Sequence, residues 1–92
     1  MITQKLRIRG LVQGVGYRYA LRREAQRQGV AGWVRNRSDG SVEALLQGAA
    51  ERVAEVLAWA RRGPPGSRVD EVEIDPAEDE ATHSGFELHP SV

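Results

Sequence analysis

The sequence predicts a ferredoxin-like α/β (α+β) sandwich of order βαββαβ with a short additional C-terminal strand, two helices covering one face of a largely antiparallel sheet. Three observations carry that expectation. Apolar residues alternate with period two in some stretches and recur with the period of a helix in others, and the two kinds of stretch follow one another in that order. Glycine and proline fall at the joints between them. Ninety-two residues, 40% hydrophobic and 28% charged, suffice for one small core but not for two.

The elements follow from the N-terminus. Lys5-Leu6-Arg7-Ile8-Arg9 alternates strictly, which predicts a strand from Thr3 to Val12 with Leu6 and Ile8 on its buried side. Gly14 and Gly16 interrupt the pattern. From Tyr17 to Gln28, Tyr17, Leu21 and Ala25 recur at i, i+4 and i+8 beside Ala20, the stripe of a helix resting on a core, and Gly29 suits the residue that ends it. Trp33 and Val34 mark a second strand and Val42, Ala44 and Leu46 a third, joined by a tight connection containing Asp39-Gly40. Ala50 to Arg62 sets Val53, Val56, Leu57 and Ala60 on one stripe, stopped by Gly63-Pro64 because proline has no N–H to continue the ladder. Val69, Val72 and Ile74 indicate a fourth strand, Pro76 to His83 a loop, and Phe86 to Leu88 a short last strand. Repeats and low-complexity linkers are missing; Gly63-Pro64-Pro65-Gly66-Ser67 is a loop rather than a hinge, so residues 1–92 are expected to form a single domain.

Composition excludes several function classes. Without cysteine the chain has no disulfide framework, no thiolate nucleophile and no zinc–thiolate site. His83 and His89 lack companion ligands and are expected to serve surface or turn roles, and Glu78-Asp79-Glu80 matches no calcium-loop spacing and reads as a solvated acidic loop. No metal and no cofactor are expected. The N-terminus leads into an alternating segment instead of an apolar signal region, and nothing approaches the roughly 18 apolar residues of a spanning helix, so a cytoplasmic protein without membrane contact is expected.

The formal net charge is zero but unevenly distributed: residues 1–37 carry nine Lys/Arg against Glu24 alone, and residues 38–92 carry four against twelve Asp/Glu. An anionic ligand therefore belongs with the first part. Arg22, Arg23, Arg27, Arg35 and Arg37 are expected on a solvated helix face and strand flank, paired with the acidic second part. With no long basic run and few aromatics for base stacking, nucleic acid is not expected as a partner.

The most informative segment is Gln13-Gly14-Val15-Gly16-Tyr17-Arg18, where a glycine-spaced turn ends in an arginine as the first helix begins. Glycines let backbone N–H groups converge, a helix N-terminus adds partial positive charge, and a guanidinium supplies a fixed fork of donors. Together these suit a phosphate or phosphoryl group. The pattern is neither G-x-G-x-x-G nor G-x-x-x-x-G-K-[ST], and a plain strand-to-helix turn also uses glycines.

A second cluster narrows the choice. Gly10-Leu11-Val12-Gln13-Gly14-Val15-Gly16-Tyr17-Arg18, with Gly32-Trp33-Val34-Arg35-Asn36 followed by Asp39-Gly40-Ser41-Val42-Glu43, closely resembles the two signatures of the acylphosphatase family. Gly63-Pro64-Pro65 and Ser84-Gly85-Phe86-Glu87-Leu88 extend the resemblance over nearly the whole chain. It implies a hydrolase acting on acid anhydrides, with a small acyl phosphate as substrate and a carboxylate and inorganic phosphate as products. It assigns phosphate binding to the loop Gln13, Gly14, Val15, Gly16, Tyr17 and Arg18, with Arg18 as the catalytic arginine. Asn36 is implied to orient the attacking water, although Asn at a strand end commonly serves turn chemistry. Attack would be direct, without a phosphoenzyme or metal. Tyr17 departs from the phenylalanine usual in the family and adds a hydroxyl expected to alter the pocket wall only slightly. Trp33 and Trp59 are expected to be packing residues of the core or its edge. A monomer is expected.

Two other functions fit the fold. One is a regulatory or binding module lacking activity, or a fragment resembling the first domain of hydrogenase-maturation carbamoyltransferases, yet both motif residues, Arg18 and Asn36, are retained. An RNA-binding platform should carry aromatics on its middle strands, and Leu6, Ile8, Val42, Ala44 and Leu46 are not a stacking set. The acyl group is not specified, because both motifs address the phosphoryl end of the substrate.

Overall fold

In the computed structural model, which describes residues 1–77 and 81–92, five strands and two helices follow one another as β1 (Ile2–Leu11), α1 (Tyr17–Gln28), β2 (Ala31–Asn36), β3 (Val42–Gly48), α2 (Ala50–Arg62), β4 (Arg68–Pro76) and β5 (Phe86–Leu88). The sheet order is β4-β1-β3-β2-β5. Both β1 and β2 run antiparallel to β3, from Ile2↔Gly48 to Ile8↔Val42 and from Ala31↔Gln47 to Asn36↔Val42. Each βαβ unit therefore skips one position, which a strand of the other unit fills. β4 lies antiparallel beside β1, with a register shift at Arg9/Gly10, and β5 pairs parallel with β2 at Gly32↔Phe86. One consequence matters for function: the C-terminal ends of β1 and β2 both reach the N-terminal end of β3. The segment after Leu11 and the residues around Asn36 thus share one end of the sheet.

The predicted alternation in β1 is observed, with Leu6 and Ile8 fully buried. They meet Val34, Val42, Ala44 and Leu46 across the sheet and Tyr17, Leu21, Ala25, Val53, Val56 and Ala60 from the helices, forming one apolar cluster. Burial of each large aliphatic side chain stabilises the fold by about 1.5–3 kcal/mol. β1 lies one residue earlier than expected, yet Val12 beyond its end is buried at 1% exposure. α1 closes as expected: Gly29 is left-handed, its N–H reaches Gln26 O, and Val30 N–H reaches Ala25 O. Neither helix is long and apolar enough to cross a membrane. Glu78, Asp79 and Glu80 lie outside the described residues.

The second face of the sheet is not open to solvent along its central strand. Every residue from Val42 to Gln47 is buried, so Glu43, Leu45 and Gln47 are covered on the side away from the helices. β3 is the central strand, and long side chains of its neighbours fold over it. Gln47 also bonds Thr3 Oγ1 (3.2 Å), Ala81 O (3.2 Å) and the His83 N–H (2.7 Å), which draws residues 81–83 across this face. Trp33 is likewise not in the cluster beneath the helices: it packs on the second face, stacked on His89 at 5.1 Å and 11°, with the Arg35 guanidinium 4.8 Å from its ring centroid. Alternation explains the change, since Val34 takes the helix side. On the edge strand β4, Ile74 is exposed and Val69 and Val72 are only half-buried.

Candidate functional site

The loop between β1 and α1 is anchored by apolar residues and shaped by glycines. Val12 is buried and Val15 packs against the core, while Gly14 (φ 76°) and Gly16 (φ 78°) adopt left-handed conformations. A Cβ at either glycine would meet nothing within 4 Å, so the requirement for glycine is conformational rather than steric. Gly16 is the N-cap of α1, no side chain caps that terminus, and its first turn holds no acidic residue. Ala20 N–H makes the first helical bond, to Gly16 O at 3.1 Å, which leaves the amides of Tyr17, Arg18 and Tyr19 ahead of it. The positive end of the helix dipole faces outward from this loop.

Arg18 is half-buried, and its guanidinium lies 5.7 Å from the Tyr19 ring centroid, as does that of Arg22. Among the described residues neither Arg18, Arg22 nor Arg23 has an ion pair. The expectation that helix arginines pair with the acidic second part of the chain is therefore corrected: Arg27 pairs with Glu24 of its own helix at 2.8 Å, one turn away. Arg35 and Arg37 do pair as expected, with Glu43.

Asn36 ends β2 opposite Val42 and shares the face of Val34. It performs no turn chemistry. Among the described residues none other than glycine has positive φ, and the connection to β3 is closed by Arg37 N–H to Ser41 O (2.9 Å) and Gly40 N–H to Arg37 O (3.1 Å). Asp39 Oδ1 adds bonds from Ser41 Oγ (2.6 Å) and Ser41 N–H (2.9 Å), and these, with Arg7 and Arg37 nearby, hold its carboxyl below the usual range. The Asn36 side chain is consequently left over: its Oδ1 is buried and has no hydrogen-bond partner. Its backbone carbonyl accepts from Val92 N–H at 3.0 Å.

Two residues of the expected phosphate loop direct their side chains elsewhere. Gln13 Nε2 donates to Arg37 O at 2.8 Å and Ser41 O at 2.9 Å, so only its backbone remains for a ligand. Tyr17 lines the core and not a pocket wall, because it shares the inward stripe with Leu21 and Ala25. Its hydroxyl donates to Ala60 O at 2.7 Å, and burial raises its pKa. The acceptor is explained by the end of α2: Ala60 O would take the N–H of residue 64, which is Pro64 and has none. Gly14, Val15, Gly16 and Arg18 remain around the loop mouth.

Pairing of Arg35 and Arg37 with the acidic second part was expected, but not the convergence of three arginines on one buried carboxylate. Arg35 Nε lies 2.7 Å, Arg37 Nη1 3.2 Å and Arg7 Nη2 4.0 Å from the Glu43 carboxylate. Burial by itself would raise the Glu43 carboxyl, but the hydrogen bonds and charges of Arg35 and Arg37 outweigh it and hold the group below its ordinary value. Alternation from Val42 places Glu43 on this face, which is the one sequence signal for the cluster.

This glycine loop, uncapped helix start and hairpin asparagine meet on a chain whose residues 4–88 match the family model for acylphosphatase. The chain belongs to the acylphosphatase family. An acylphosphatase of Thiobacillus denitrificans is 55% identical over 87 residues, spanning 95% of this chain and 96% of that relative. The crystal structure of acylphosphatase from Bacillus subtilis superposes with a TM-score of 0.92 at 32% identity, covering 97% of this chain and 99% of that one. A full-length HypF structure matches 98% of this chain with a TM-score of 0.83 at 26% identity, but only 12% of the HypF chain is involved.

Proposed function

We propose that this family member hydrolyses the carboxyl–phosphate bond of a small acyl phosphate, by direct attack of water and without a phosphoenzyme, metal or other cofactor. The observation that carries the mechanism is the buried, unpartnered Oδ1 of Asn36, at the same end of the sheet as the glycine loop and Arg18, which has no ion pair among the described residues. A carbonyl oxygen accepts an O–H of water and turns the water's lone pair toward phosphorus. The guanidinium of Arg18 and the backbone N–H groups of Gln13, Gly14, Val15, Gly16, Tyr17 and Arg18 hold the phosphoryl oxygens as charge redistributes. The P–O bond to the acyl group breaks as the bond to water forms, and the carboxylate leaves with the electron pair. Because the mixed anhydride is already activated, positioning and charge stabilisation are sufficient.

The water's proton passes to a phosphoryl oxygen of the substrate. Neither motif offers a base in its place: Asp39 is engaged by Ser41 and held ionised, and Glu43 is bound by arginines on the other face of the sheet. In this reading residues 1–92 act as a single domain and as a monomer. Arg22 and Arg23, on the same helix and without an ion pair among the described residues, add positive potential that attracts the anionic substrate.

The test is phosphate release by the purified protein from a small acyl phosphate and from an ordinary phosphomonoester. Selective turnover of the acyl phosphate, unchanged by EDTA, is expected; failure to hydrolyse it, or equal turnover of both, overturns the proposal. Inorganic phosphate should inhibit competitively and raise the melting temperature, stabilising the native state by about 2.7 kcal/mol at a hundred times its dissociation constant. Chloride at matched ionic strength should do less. A shift that survives Arg18→Ala would instead mean diffuse anion binding by Arg22, Arg23 and their neighbours.

A further inference from the structure

We infer that Gln13 is a positioning residue that sets the separation between the phosphoryl cradle and the water held by Asn36. The inference rests on the function proposed above and concerns how its two halves are held in register. Pairing of β1 with β3 stops at Ile8↔Val42, so the chain from Arg9 to Gly16 has no ladder to the hairpin that carries Asn36. Beyond Leu11 it has no strand partner among the described residues. Secondary structure alone therefore leaves the distance from cradle to Asn36 unset.

Gln13 bridges that interval with both protons of its amide, one to Arg37 O at 2.8 Å and one to Ser41 O at 2.9 Å. The two acceptors bracket the functional residue. Arg37 directly follows Asn36, and Ser41 directly precedes Val42, the ladder partner of Asn36. One side chain thus grips both strands of the hairpin next to Asn36, while the following residue, Gly14, begins the glycine turn.

The hairpin does not depend on this amide for its own closure. Ser41 O already accepts from Arg37 N–H, Arg37 O already accepts from Gly40 N–H, and Asp39 secures Ser41. Gln13 occupies the second lone pair of each carbonyl. Its loss leaves both carbonyls satisfied, and what changes is where the hairpin sits relative to the loop. With both donors committed, Gln13 does not contact the reacting atoms through its side chain.

The decisive variant is Gln13→Met, which preserves length and removes the donors. Misplacement of reacting groups by about 1 Å costs up to about a hundredfold, so turnover should fall roughly ten- to a hundredfold. The inhibition constant of inorganic phosphate should stay within about twofold, because the cradle itself is intact. In an Asn36→Ala background the same substitution should have little further effect, since no aimed water remains to be misplaced. Gln13→Asn, which keeps the amide one methylene short, is the milder second probe and should fall between Gln13→Met and the unsubstituted protein.

Three results would overturn the inference. Unchanged turnover in Gln13→Met means that the bridge positions nothing. A phosphate inhibition constant that rises in step with the loss places Gln13 in the cradle. An equal loss with and without Asn36 means that it acts through another group. A measurement without turnover separates this inference from the proposed function: inorganic phosphate should shift the side-chain amide resonances of Asn36 in the unsubstituted protein, and Gln13→Met should abolish that shift while those of Gly14 and Gly16 persist. Absence of acyl phosphate hydrolysis in the unsubstituted protein would remove the proposed function; normal hydrolysis there with an unaffected Gln13→Met would remove only the role of Gln13.

Discussion

The two faces of the sheet use polar groups in opposite ways. On the face away from the helices, charges are bound to one another: Arg7, Arg35 and Arg37 converge on Glu43, Arg7 also reaches Asp39, and Arg9 lies against Glu71 and Glu73, although Arg7 Nε and Arg37 Nε stay buried without a hydrogen-bond partner of their own. On the helix-facing side the interior is apolar, and polar groups collect only at the end where β1 and β2 run out. There Arg18 has no carboxylate among the described residues, α1 has no side-chain cap, and Asn36 Oδ1 is buried without a partner. A buried unsatisfied acceptor costs about 1–3 kcal/mol. Groups that satisfy one another contribute to the fold, whereas groups left unsatisfied in a folded chain retain their capacity for a ligand. Substitutions on the two faces should therefore separate: activity without stability on one, stability without activity on the other.

The largest effect is expected at Arg18. Arg18→Ala should abolish measurable turnover while the protein stays folded, since removing one preorganised donor already costs about 3 kcal/mol, or about a hundred- to thousandfold, and this donor is charged. Arg18→Lys should rescue poorly, because an ammonium cannot reproduce the planar fork. Near-normal turnover by a folded Arg18→Ala protein would break the comparison at its strongest point. Next comes Asn36→Ala, expected to lower turnover by about a hundredfold with phosphate affinity nearly intact, since the side chain aims water rather than binding the anion. Asn36→Asp should be no better, because a carboxylate would face the anionic substrate at short range. Collapse of phosphate affinity with a surviving turnover number would make Asn36 a binding residue instead.

The opposite face is probed by Glu43→Gln. Losing a carboxylate bound by charged donors should destabilise the protein by about 2 kcal/mol while turnover is largely kept. The pH dependence sharpens the point. The folded-state pKa of Glu43 is lowered, so its contribution is fully present above the ordinary carboxylate range and is lost as pH falls through the lowered value. Melting temperature measured against pH should therefore drop in acid for the unsubstituted protein and drop less for Glu43→Gln. Parallel profiles would show that the arginine cluster does not bias this titration.

Tyr17→Phe has the smallest expected effect and tests a position that belongs to both the loop and the core. It removes the donor to Ala60 O at a helix end where Pro64 supplies none. A net loss of about 1 kcal/mol is expected, lowering the melting temperature by roughly 4–8 °C for a chain of this size. Turnover should be retained. A large loss of turnover with little change in melting temperature would return the hydroxyl to the site.

The order of elements and the helix-facing residues of β1, α1 and α2 were legible in the sequence, because periodicity and turn chemistry act over a few neighbours, whereas Arg18 and Asn36 were singled out by resemblance to the family's motifs. What the sequence left open were partnerships across long separations. Gln13 meets Arg37 and Ser41 at 24 and 28 residues' distance, and Tyr17 meets Ala60 at 43. No periodicity reports such pairs; they exist because each helix crossover carries the chain past a strand that arrives later, so β3 seats itself between β1 and β2. The same insertion buried β3 on both faces and set Trp33, a packing residue as expected, on the face away from the helices. Local pattern determined which residues turn inward and where the chain bends. Only the tertiary register decided which polar groups satisfy one another and which, at the shared end of β1 and β2, remain without a partner.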